Sequence, residues 1–130
     1  MNTTWIKIVF IISGLYDAIV AILFLLIGNQ MFDYFNIIRP NHVGYIQFPA
    51  LLLIIFGIMF FRIAANPVRF RELIWYGVGL KGAYSGVVLY HYFTAGIPFM
   101  WVPFAILDLI FLVVFIACWY SLGKIQTATS

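Results

Sequence analysis

The sequence predicts an all-α protein, a four-helix transmembrane bundle with both termini in the cytoplasm. Composition is the first reason. Hydrophobic residues make up 65% of the chain and charged residues only 8%, whereas soluble domains carry about 25% charged residues. Mean hydropathy is +1.09. The second reason is four apolar stretches, at about 5–27, 45–64, 73–93 and 102–122. Each reaches the ~20 residues that a helix needs to cross the hydrocarbon core. The third is charge placement. Lys7, Arg62, Arg69, Arg71 and Lys124 fall on one side of these stretches and Arg39 alone on the other, which by the positive-inside bias puts both ends inside. A chain of 130 residues is expected to be one transmembrane domain, 1–130. The net charge of +3 is spread over the ends of apolar runs, so it is a topology signal and not a nucleic-acid footprint.

The first stretch imitates a signal peptide, with Lys7 ahead of IVFIISGLYDA and a cleavage site after Ala18. Asp17 interrupts that site and apolar sequence runs on to Ile27, so 5–27 reads as one retained span. The next loop, GNQMFDYFNIIRPNHVG, is the only long one. Its MFDYFNII segment is too short to span. Two readings stay open: an interfacial helix over the bundle mouth or an ordinary connection.

In the second span, Pro49 falls within the first turns, where a missing N–H costs little. Asn66-Pro67 then suits a helix cap and first helical position, so the third helix is expected to begin near Pro67. Pro103 opens the fourth span in the same way. Trp5, Trp75, Trp101, Trp119, Tyr45 and Tyr120 lie near span ends, as membrane-interface belts require. QFPALLLIIFGIMFF (47–61) and WVPFAILDLIFLVVF (101–115) repeat their Pro and final Phe at equal spacing, a faint sign of two related hairpins.

The third span, LIWYGVGLKGAYSGVVLYHYF, is the unusual one. Lys81 stands in its middle, where a Lys costs roughly 2.5–3.5 kcal/mol on insertion scales. Gly77, Gly79, Gly82, Ala83, Ser85 and Gly86 surround it, and small residues of this kind let neighbouring backbones approach. Gly82 and Gly86 have small-xxx-small spacing. Both features suit the inside of a bundle.

Asp17 and Asp108 are the other ionisable residues deep in the spans. A rise of 1.5 Å per residue puts their Cα atoms at depths of roughly 18 Å and 21 Å, and that of Lys81 at 12 Å. The Lys side chain closes most of the gap, and pairing is the cheapest way to keep charges in hydrocarbon. Two acids facing one base leave a centre that is singly negative or holds a proton. Ser13, Tyr16 and Asp17 share one face of the first helix, and Lys81, Tyr84, Val88 and His91 share one of the third. Such a stripe suits a proton path or a pocket for an amphiphile with a polar head. It equally suits a structural ion pair that fixes helix register. The candidate binding or relay residues are therefore Asp17, Lys81, Asp108, Tyr16, Tyr84 and His91.

His91 and His42 both fall near one end of the spans, and two histidines on separate segments can ligate a haem. An ordinary interfacial His is the better reading. The single cysteine, Cys118, excludes an internal disulfide and a cysteine-based zinc cluster; inside a span it reads as a small hydrophobe. No P-loop, dinucleotide fingerprint, HExxH, serine elbow or CxxC occurs. No residue is assigned a catalytic or metal-binding role, and the sequence points away from an enzyme.

The four-span layout, the GLKGAYSG stretch and the size resemble the DoxX-like group of bacterial membrane proteins. SGLYDAIVAILFLL, YIQFPALLLIIFGIMFF and IPFMWVPFAILDLIFLVVF are similar to small membrane proteins of that kind. The resemblance implies a four-helix bundle in the bacterial inner membrane and, in some relatives, a link to quinone-coupled redox systems. It transfers no catalytic residue. The leading expectation is a non-enzymatic accessory subunit or a lipid- or quinone-binding protein built around the Asp17/Lys81/Asp108 centre. A small proton- or ion-coupled transporter, or a redox component carrying quinone or haem, is the alternative. The expected partners are membrane lipids, with a membrane-protein partner or a second copy beside them, and no nucleic acid.

Overall fold

The computed structural model describes residues 2–129. Four helices account for nearly all of them: α1 (Thr3–Tyr34), α2 (Gly44–Ala65), α3 (Ile74–Phe93) and α4 (Trp101–Thr129). Among the described residues there is no strand. Helices α1, α2 and α4 are long and apolar enough to cross a membrane. Helix α3 has the length for it but is less apolar, because Lys81, His91, four tyrosines and four glycines dilute its aliphatic residues.

The helices pack as two hairpins, α1 with α2 and α3 with α4. At the glycines among the described residues, an added Cβ would meet a neighbouring helix backbone only within the first hairpin. A Cβ placed on Gly57 would lie 3.2 Å from the Gly14 carbonyl oxygen, and one on Gly14 would meet the Phe61 ring at 2.8 Å. This Gly14/Gly57 crossing is the small-residue seam of the fold. The glycines of α3 do not form one. Gly79 and Gly86 have nothing within 4 Å, Gly82 meets only the Leu112 side chain, and Gly77 accepts the edge of the Phe60 ring. Nor is α3 enclosed: Tyr76, Val87 and Tyr90 are exposed, and only Ile74, Gly77, Lys81, Ser85 and Val88 are buried. Those positions recur every three or four residues, one stripe of an α-helix.

Between the hairpins, large side chains fill the space. At one end Phe10 stacks on Phe115 with centroids 4.7 Å apart, and Phe60 lies 5.2 Å from Phe115. Ile6, Ile63, Ile74, Cys118 and Leu122 complete this cluster, so Cys118 packs as the small hydrophobe expected. At the other end Phe32, Ile46 and Met100 form a second cluster with Phe24, Trp101 and Phe104 against it.

Several boundaries differ from the hydropathy reading. Helix α1 continues past Ile27, where the backbone leaves helical geometry (φ −132°, ψ 23°), and runs on to Tyr34. The loop segment MFDY is therefore the last turn of a kinked helix, seated by Phe32 against Trp101 at 5.7 Å. Asp33 there receives Arg39 through Nε at 2.9 Å. Asn66 does act as a cap, its Oδ1 accepting the Arg69 N–H at 3.2 Å. A turn and a 3-10 helix (Arg71–Leu73) then intervene before α3 begins at Ile74. Helix α3 ends where Gly96 takes φ +85° and donates its N–H to the His91 carbonyl, a left-handed position that glycine fills without strain.

Helix α4 also outlasts its apolar run. Arg71 holds its end: Nε donates to the Trp119 carbonyl at 3.0 Å, Nη1 to Gln126 Oε1 at 3.2 Å, and the guanidinium lies 3.7 Å from the Trp119 ring centroid. Gln126 Nε2 donates in turn to the Val68 carbonyl. Arg71 is thus a clamp between helices as well as a flanking charge.

Candidate functional site

The charged centre lies midway between the two apolar clusters, and three helices supply it. Asp17 on α1 is 1% exposed, Lys81 on α3 is 1% exposed and Asp108 on α4 is 7% exposed. Lys81 Nζ donates to Asp17 Oδ1 at 2.7 Å and reaches Asp108 Oδ1 at 3.4 Å. The first is a full charge-assisted hydrogen bond; the second is beyond the usual 2.7–3.2 Å range for N–H···O contacts. Lys81 therefore belongs first to Asp17, and Asp108 is the more loosely held acid. Because Asp17 and Lys81 sit in different hairpins, their bond is also a clasp between them.

Aromatic rings enclose the ammonium. Its Nζ is 5.0 Å from the Phe111 ring centroid, 5.2 Å from that of Tyr16 and 5.6 Å from that of Phe60. Ring faces at this distance attract a cation and keep water from it. Ser85, one turn along α3, spends its hydroxyl on the Lys81 carbonyl at 2.6 Å. Two buried oxygens on α1 have no hydrogen-bond partner among the described residues, Ser13 Oγ and Asp17 Oδ2.

Above the centre, toward the second apolar cluster, opens a half-enclosed cavity of about 290 Å³. All four helices line it. Phe24 and Phe32 of α1, Pro49 and Ala50 of α2, Leu80 of α3, and Trp101 and Phe104 of α4 make its walls apolar. Its polar end is formed by Asp17, Asp108, Tyr16 and Tyr84, with Lys81 behind the acids. Tyr84 donates its hydroxyl to the Trp101 carbonyl at 3.0 Å, which fastens α3 to the start of α4. Phe24 stacks on Trp101 at 5.9 Å with the rings nearly parallel.

Of the six candidate residues, five gather here: Asp17, Lys81, Asp108, Tyr16 and Tyr84. His91 does not. It is exposed at the end of α3 and rests beside Tyr90. Ten residues at 100° each leave it about 80° off the Lys81 stripe. His42 is engaged locally, its Nδ1 accepting the Gly44 N–H at 2.9 Å at the start of α2. Among the described residues, no group of three or more His, Cys, Asp or Glu side chains is placed to hold a metal ion. The walls of the cavity, Phe24, Trp101 and Phe104 above all, escape a reading of the sequence. Their one advance signal is that Trp101 and Phe104 lie within two residues of Pro103, at an expected helix start.

The arrangement can do two things chemically. It can accept hydrogen bonds and positive charge at the acid end, and it can bury an apolar body of moderate size along the walls. Comparison with family models, with curated proteins and with solved structures finds no match to this chain.

Proposed function

We propose that this chain is an integral protein of the cell membrane that crosses it four times, with both termini inside, and binds an amphiphile from the bilayer. Three helices with the length and apolarity of spans support the membrane reading. So does the surface: Ile19, Ile55, Ile110 and Val113, at mid-helix positions, are all more than half exposed. Aliphatic residues exposed along whole helices suit lipid and not water. Helix α3 would be the fourth span because its costly Lys81 is hidden and paired. The orientation rests on Lys and Arg placement. Under it a cysteine introduced as Asn41→Cys labels from outside intact cells and Ala65→Cys does not. The reverse pattern would invert the topology.

The observation that carries the ligand reading is the cavity, whose apolar walls end on two acids and two tyrosines. Pockets of this form bury an apolar body and fix it by a few polar groups at one end. A lipid- or quinone-class molecule has that division. The resemblance of GLKGAYSG to the DoxX-like group favours the same reading, and nothing in the site calls for a catalytic step. Purification of the full chain in mild detergent, followed by mass spectrometry of the extract, is expected to recover an amphiphile in stoichiometric amount. Ala50→Trp, which fills the cavity from a buried wall position, should lose it. Equal recovery from both proteins, or none from either, would overturn the reading.

A further inference from the structure

We propose that the cavity selects an amphiphile whose head carries one positive charge, a protonated or quaternary amine on an apolar body. This narrows the amphiphile reading and rests on it. Asp17 and Asp108 are the only charged residues that line the cavity among the described residues, and Lys81 is the single cation that meets them. With all three ionised the centre is one negative charge in excess. In surroundings this apolar, an excess charge is costly until something opposite arrives.

Geometry says where the excess is offered. Lys81 lies behind the acids, and the cavity meets carboxylates and not the ammonium. Asp17 lines the cavity but is 1% exposed and its unpartnered Oδ2 is sealed, so the acid that meets the space most openly is Asp108, 7% exposed. Asp108 is only loosely engaged by Lys81, at 3.4 Å. The cavity thus offers acceptors and negative charge at one end. The Tyr84 hydroxyl is already given to the Trp101 carbonyl, while Tyr16 and Tyr45 bring hydroxyls that donate as well as accept. An anionic head would face two carboxylates there. An ammonium beside Asp108 supplies the missing charge and a charge-assisted hydrogen bond.

The walls suit the same ligand. Tyr16, Phe24, Tyr84, Trp101 and Phe104 surround the space, and aromatic faces attract organic cations. Lys81 shows the principle one layer deeper, held by two acids among three rings. A bound amine would take the matching position on the cavity side. A proton neutralises the same charge, so cation and proton compete for it. The groups facing that charge are Tyr16 and Asp17 on α1, Tyr45 on α2, Lys81 and Tyr84 on α3, and Asp108 itself on α4.

The test uses the full chain in nanodiscs of zwitterionic phosphatidylcholine, with empty nanodiscs as the blank. Three probes share one apolar body: phenylbutylamine, phenylbutanol and phenylpentanoate. Calorimetry should find the amine bound at least about tenfold more tightly than the alcohol, and the carboxylate weakest. Asp108→Asn, which leaves a balanced Lys81–Asp17 pair, should bring amine and alcohol to near parity. Lys81→Met should widen the preference. If either variant fails to fold, the wild-type series still decides. Alcohol binding as tight as amine binding would overturn the charge assignment and leave the amphiphile cavity standing. A preference kept in folded Asp108→Asn would also overturn it. Binding by none of the three would remove both readings.

Discussion

Lys81→Met is expected to be the most damaging single substitution in the protein, lowering stability by about 3–5 kcal/mol. Methionine keeps most of the side-chain volume, so the loss is electrostatic and not a cavity. It leaves Asp17 and Asp108 facing each other without their cation, in a place where both carboxylates are nearly sealed from solvent. It also removes the Asp17–Lys81 bond between the two hairpins. Thermal unfolding in detergent would measure the loss. The deficit should shrink as the pH is lowered, because protonation removes the stranded charge. The two acids should not behave alike. Asp17→Asn breaks the 2.7 Å bond and should cost more than Asp108→Asn, which weakens a 3.4 Å contact. Both should be milder than the lysine change, since one acid remains to pair with Lys81.

Phe115→Ala is expected to have the next largest effect, about 3–5 kcal/mol. Its ring is fully buried and touches three others, Phe10 at 4.7 Å, Phe60 at 5.2 Å and Phe111 at 5.9 Å. These rings fill the space between hairpins whose backbones stay apart, so no neighbouring main chain can close the gap. In lipid the exposed state is also apolar, and lost packing dominates the effect more than lost transfer from water. Val113→Ala, two residues away at 65% exposure, is the control and should be nearly neutral. Equal effects at the two positions would mean that the hairpins do not meet on this cluster.

The convergence of Asp17, Lys81 and Asp108 was legible in the sequence for a simple reason. A charge inside an apolar run must find an opposite charge, and helical rise places all three at similar depth. Tyr16 and Tyr84 came with them because they neighbour those positions on the same helices. His91 did not. Periodicity kept it near the stripe, but ten residues of accumulated rotation and the end of the helix carried it out to solvent. The glycines of α3 misled in another way. Small residues permit close packing without compelling it, and the seam formed instead at Gly14 and Gly57, where two helices cross. Helix ends were the least legible. Hydropathy measures how much of a chain suits hydrocarbon, whereas helix length here is set by contacts beyond it. Phe32 on Trp101 prolongs α1, and Arg71 on Trp119 and Gln126 holds the end of α4. The cavity belongs to this class too, since it depends on residues from four helices that no local pattern links.

The three buried charges form one site and not three separate packing details. Stability measured across a mutant cycle tests it most directly. Asp17→Asn with Asp108→Asn strands the ammonium among Tyr16, Phe60 and Phe111, and should cost more than the two single changes added together. Adding Lys81→Met to that pair removes the stranded charge and should restore part of the loss. Strictly additive effects across the cycle, with no recovery in the triple variant, would show that the residues act independently and would contradict the account.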